Sequence, residues 1–187
     1  MTLMKKMLLS LAVAVASVGV VVGCDTDQPA TTASPAQPTA ESAAALPSTL
    51  FLKKAPEGAV EVAAAKKSVK PGDDVVVRGR VAGSVDPLAP NRAILTLLDN
   101  GVPTCEKSPM DKCPTPWDAC CESRETLQAS TATIQIVDSG GKPIKTTLRG
   151  LNGIEPMKEV TVVGKVRDAG GANTLVIDAT GVYVKSS

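Results

Sequence analysis

Histidine is missing from all 187 residues, and the aromatic side chains number three: Phe51, Trp117 and Tyr183. The first absence removes the commonest general base and the commonest nitrogen ligand of metal sites. The second removes the stacking platforms on which single-stranded nucleic acid is held. Charge of one sign is lacking too. Between Ala55 and Ser187 there are 16 Lys plus Arg against 16 Asp plus Glu, so the basic footprint of a nucleic-acid binder is missing. No C-x-x-C pair occurs, which excludes the usual dithiol redox motif and the paired knuckles of structural zinc sites.

What is present begins with an address. Lys5 and Lys6 precede a run from Met7 to Gly23 that carries no charge. About 17 apolar residues is the low edge for a membrane span and suits the core of a signal peptide. The run ends in Val21-Val22-Gly23-Cys24, which resembles the lipobox of bacterial membrane lipoproteins. The resemblance implies cleavage after residue 23, a thioether lipid on Cys24 and acylation of the new amino terminus. Several acyl chains, at about 0.8 kcal/mol per buried methylene, hold a protein to a bilayer far more firmly than one. The expected location is therefore the cell membrane on its extracytoplasmic (periplasmic) side, with the membrane itself as first partner.

Residues 24–55 are expected to be a lipid-anchored Pro/Ala/Thr linker, because most of the segment has too little apolar surface to offset the entropy of ordering. Within it, Leu50-Phe51-Leu52 forms a small apolar patch expected to pack on the domain edge. The folded domain is placed at 56–187. Val60–Lys67 is alanine-rich and predicts a short N-terminal helix stopped by Pro71-Gly72. After it come alternating valine-rich segments at 74–81, 92–99, 132–138, 143–148, 159–166 and 174–184, separated by glycine turns. The predicted class is mainly β: a small five- to six-stranded antiparallel barrel with the short helix and a cysteine-rich loop insert at 100–130. Two strands echo each other, Val77-Arg78-Gly79-Arg80-Val81 and Val163-Gly164-Lys165-Val166, each with a glycine in mid-strand. Such a glycine costs stability unless the strand bends or another backbone comes close. This order of strands, glycines and hairpins resembles a bacterial OB-fold domain over roughly Val60 to Val184. The resemblance implies that the first and fourth barrel strands are neighbours.

The insert carries Cys105, Cys113, Cys120 and Cys121, spaced C-x7-C-x6-C-C, with Trp117 among prolines. In an oxidising compartment four such cysteines read most simply as two disulfides. Adjacent residues sit too close for easy bridging, so Cys120 and Cys121 should each pair with Cys105 or Cys113, and two connectivities stay open. Each bridge is worth on the order of 3 kcal/mol in the chain-entropy model. Asp111, Asp118 and Glu122 show no spacing of an acid–base pair and read as solvated carboxylates.

The expected function is a lipid-anchored extracytoplasmic binding or interaction module without catalytic activity, with its contact surface around the disulfide-pinned loop 105–121. No catalytic residue, metal or cofactor is expected. The partner is expected to be an envelope protein or a small ligand. Trp117, Arg78, Arg80 and Lys165 are the candidate binding side chains. One alternative is a thiol-redox or metal-binding protein using Cys105, Cys113, Cys120 and Cys121. The other is OB-type binding of nucleic acid or another anionic ligand through Arg78, Arg80 and Lys165, which the composition makes a poor fit.

Overall fold

Val75, Val77 and Val81 lie buried on one face of β2 (Asp74–Val81), with Gly79 between them, while Arg78 points to solvent. Branched apolar side chains at every second position suit one face of a pleated strand and drive it onto a core. The same pattern recurs in β3 (Ile94–Leu98), β4 (Thr131–Gln135), β5 (Glu159–Val166) and β6 (Val176–Val184). A computed structural model describes residues 45–107, 113–167 and 174–186. Cys24, the signal segment, most of the linker and Asp111 lie outside the described residues.

The strands close on themselves in the order β2-β3-β4-β6-β5, with β5 pairing back to β2 over seven residue pairs from Asp74↔Lys165 to Arg80↔Glu159. The result is a five-stranded barrel, and the two echoed strands lie side by side. Closure is mixed rather than wholly antiparallel: β4 runs parallel to β6, and the short β1 (Val60–Glu61) adds parallel to the outside of β2. The expected antiparallel barrel is corrected on this point. The physical reason is the 143–148 segment, expected to be the returning strand of a hairpin. It contributes the Val137–Pro143 bridge, backbone hydrogen bonds of Ile144 with Ile136 and Ala93, and the buried plugs Ile144 and Leu148, but forms no strand beside β4, whose edge pairs with β6.

Both mid-strand glycines stand where a backbone passes close. A Cβ on Gly79 would lie 2.5 Å from the Leu98 carbonyl oxygen and 2.9 Å from Leu97 Cγ. One on Gly164 would strike the Asp178 carbonyl and the side chain of Ile177, at the point where the β5–β6 register shifts. The glycines therefore let neighbouring strands cross tightly enough to close a small barrel.

The helix α1 (Val62–Ser68) buries Val62 and Ala65 against the barrel, as the alanine-rich segment predicts. A second helix, α2 (Arg124–Ser130), was not legible as such and ends the cysteine insert. Ser123 caps it by accepting from the Thr126 amide at 3.1 Å. The folded part also begins earlier than Pro56. Leu50 is buried, Phe51 bridges to Val182, and the Leu50 carbonyl accepts from the Val182 amide at 2.7 Å. The apolar patch thus packs on the barrel, as expected of it. Among the described residues no helix is long and apolar enough to cross a membrane.

Replacing Gly79 or Gly164 by alanine should cost about 1–3 kcal/mol, through overpacking against rigid backbone. Denaturant unfolding of each variant measures this, with Val85→Ala at an exposed position as the near-neutral control.

Candidate functional site

The insert joining β3 to β4 is fastened at both ends before its cysteines are reached. The Asp99 amide donates to the Ser130 carbonyl at 2.8 Å, tying the start of the insert to its end. Asp99 is buried, and its carboxylate accepts from the amides of Ala63 at 2.8 Å and Gly101 at 2.9 Å. Those bonds replace the water that a buried carboxylate loses. A separate small core lies beneath the insert: Ala82, Leu98, Val102 and Ala119, flanked by Trp117, Leu127 and Met157.

Trp117 is an anchor. It is half-buried in that small core, its indole N–H donates to the Val85 carbonyl at 2.9 Å, and its own carbonyl accepts from Gly83 at 2.9 Å. This is the usual solution for an indole with one apolar side and one donor to satisfy. Beyond it the two limbs of the insert run side by side. The Cys105 amide donates to the Asp118 carbonyl at 2.8 Å and the Glu106 amide to the Pro116 carbonyl at 2.9 Å. Asp118 is buried and accepts from the Ala119 amide, so it braces the turn rather than standing in solvent as expected.

This pairing of limbs brings the sulfurs together. Cys105 Sγ lies 3.4 Å from Cys120 Sγ, and the Sγ atoms of Cys105, Cys120 and Cys121 all lie within 4.8 Å of one another. Cys113 stands to the side, outside that group, with its Sγ 3.3 Å from Thr115 Oγ1. The two expected disulfides are not formed: all four are free thiols, and the closest pair is well outside the S–S bond length of about 2.05 Å. The physical reason is the placement of the neighbouring pair. Cys120 and Cys121 both turn toward Cys105, so the sulfurs gather around one point instead of sorting into two couples.

The four thiols are not equivalent. Burial, then the hydrogen bond with Cys120, pushes the Cys105 thiol up to about 11, so it holds its proton at neutral pH. The Thr115 hydroxyl and backbone favour the Cys113 thiolate and lower its pKa. Cys105 is buried, Cys113 half-exposed, and Cys120 and Cys121 exposed.

The predicted basic side chains are spoken for. Arg78 pairs with Glu61 at 2.6 Å, Lys165 with Asp74 at 2.9 Å, and Arg80 donates to the Val102 carbonyl at 2.5 Å, at the root of the insert. Lys165 and Arg80 stand at opposite ends of the β2–β5 pairing, opposite Asp74 and Glu159. They form separate pairs rather than one strip. At another part of the barrel, Arg167 grips Asp178 through two nitrogens at 2.9 Å while Gln135 donates to the same carboxylate at 2.7 Å. That bracket joins β4 and β6 to the end of β5, and the hydrogen bonds to Asp178 keep Arg167 charged. The signal missed was Asp178, aligned with Gln135 only by the parallel β4–β6 register.

The thiolate is the reacting form, so alkylation reports these differences. Iodoacetamide at neutral pH should modify Cys113 of the reduced chain before Cys105, with Cys105 reacting only as pH climbs toward its raised pKa; peptide mass mapping over time checks the order. No protein-family model matches the chain, and neither a curated protein nor a solved structure does.

Proposed function

We propose that this chain is a bacterial membrane lipoprotein whose OB-type barrel serves as a non-enzymatic binding module on the extracytoplasmic face. Cys24 carries the lipid, residues 24 to about 49 form the tether, and the insert around 105–121 is the contact surface. The barrel supports the OB assignment in one specific way: its first and fourth strands, β2 and β5, are neighbours. The insert springs from between the barrel's second and third strands, and the face of those two strands is the one OB domains use for ligands.

The observation that carries the reading is the mounting of the insert. Trp117, Asp99 and the paired limbs hold an irregular loop still, and Pro114, Cys120 and Cys121 are exposed on it. Fixing a loop before it meets its ligand lowers the ordering cost of binding. Nucleic acid fits this surface poorly, because Arg78 and Lys165 are already paired with carboxylates and the single insert aromatic is used as an anchor.

Labelled palmitate should enter the wild-type chain and be absent from Cys24→Ser. A photoreactive residue at Pro114 should give cross-links in intact membranes that the same group at the exposed Thr180 of β6 does not; equal labelling from both positions would remove the insert as the contact surface.

A further inference from the structure

Three sulfurs of the insert lie within 4.8 Å of one another, and the fourth cysteine stands beside them. We propose that Cys105, Cys113, Cys120 and Cys121 hold a single Zn2+, a borderline-soft d10 cation, as the structural centre of the insert. This inference rests on the binding-module reading and names what its surface takes up.

The geometry is the first support. A disulfide needs sulfurs in couples about 2.05 Å apart, whereas a tetrahedral zinc site with Zn–S bonds near 2.3 Å sets its sulfurs roughly 3.8 Å apart. The Cys105–Cys120 distance of 3.4 Å and the 4.8 Å envelope of Cys105, Cys120 and Cys121 bracket that separation. Cys113 lies outside that group of three, with its Sγ beside Thr115, and is the remaining thiol of the insert that can complete a four-sulfur set. The backbone pairs at Cys105–Asp118 and Glu106–Pro116 fix both limbs, so completing the set requires Cys113 to turn toward the other three.

The donor chemistry is the second support. The chain has no histidine, and the mutually close ligand atoms are sulfur alone, with no carboxylate among them. Calcium and magnesium require oxygen ligands, whereas thiolates select Zn2+ or Cu+. Four sulfurs favour the tetrahedral Zn2+ over trigonal Cu+. The missing C-x2-C knuckles are replaced here by two limbs zipped together and an adjacent pair, Cys120-Cys121, supplying two ligands from one turn. Metal-bound sulfur commonly accepts a hydrogen bond from a neighbouring group, and Thr115 Oγ1, 3.3 Å from Cys113 Sγ, is placed to donate one. Asp118 is excluded as a ligand, since its side chain is turned to the Ala119 amide.

The test uses the full-length chain in detergent, purified without oxygen and with a phosphine reductant. Native mass spectrometry and elemental analysis should find one Zn2+ per chain. Co2+ in its place should show the thiolate charge-transfer and ligand-field bands of a tetrahedral sulfur site. Cys120→Ser and Cys121→Ser, both at exposed positions, should each weaken zinc binding by about 100-fold or more, and Thr115→Val by about 10-fold. Circular dichroism establishes that these variants keep the barrel. A reduced chain with four free thiols that takes up no Zn2+ overturns the proposal, as does one that binds Cu+ but not Zn2+. A chain isolated with two disulfides overturns it if reduction restores no zinc uptake. Should zinc binding fail while cross-links from position 114 persist, the metal assignment falls and the binding-module reading stands; loss of those cross-links alone has the opposite meaning.

Discussion

The structure depends on one contact above the others, the seven-pair run of β2 against β5. Without it the sheet would open and expose two strands of unsatisfied amides and carbonyls, the condition that invites edge-to-edge association. Closure over so few strands demands strong coiling, and coiling brings backbones closer than a side chain allows. Gly79 and Gly164 meet that demand on adjacent strands, one beneath Leu98 and the other beneath Asp178. The valines that alternate with them then fill the interior. The core is aliphatic almost throughout, which explains how the chain manages with three aromatic residues.

The closed barrel gives the insert something rigid to stand on. Its root is β3, whose last residues Leu97 and Leu98 are fully buried, and its return is α2, which leads directly into β4. Lys66 reinforces the return by donating from α1 to the carbonyls of Gln128 and Thr131, which a helix leaves unmet at its C-terminal end. Burial lowers the Lys66 pKa. Asp99 joins the other side of α1 to the first turn of the insert. The helix, the insert and the barrel edge are thus locked by polar contacts around a small apolar cluster, and the cysteine limbs extend from that lock.

The chemistry of the site changes with this placement. Four cysteines spread over 17 positions of an extracytoplasmic loop argue for cross-links that restrain the unfolded chain. Three sulfurs drawn to one point by paired limbs, with Cys113 to the side, are a different object, because Cys105, Cys120 and Cys121 share one neighbourhood instead of sorting into two couples. Cross-linking and metal binding place the same atoms in different relations: the first needs pairs, the second a centre. The gathered arrangement is what gives the insert a chemical identity beyond its shape.

The valine alternation, the glycines at 79 and 164 and the turn residues were enough to read a small β barrel, because period-two burial and close backbone approach leave marks on single residues, whereas the adjacency of the two glycine strands was expected only from the resemblance to an OB-fold domain. The cysteine insert and its Trp117 were legible as a unit for the same local reason. Other features depend on pairing partners far apart in sequence. The parallel register of β4 with β6, the Asp178 bracket of Gln135 and Arg167, and the docking of Leu50 beside Val182 are non-local, and nothing in the flanking residues announces them. The sulfurs divide in the same way. Sequence alone determined that the site has sulfur and no imidazole; only the tertiary structure decided that Cys105 meets both Cys120 and Cys121, because that follows from which backbone amide of one limb reaches which carbonyl of the other.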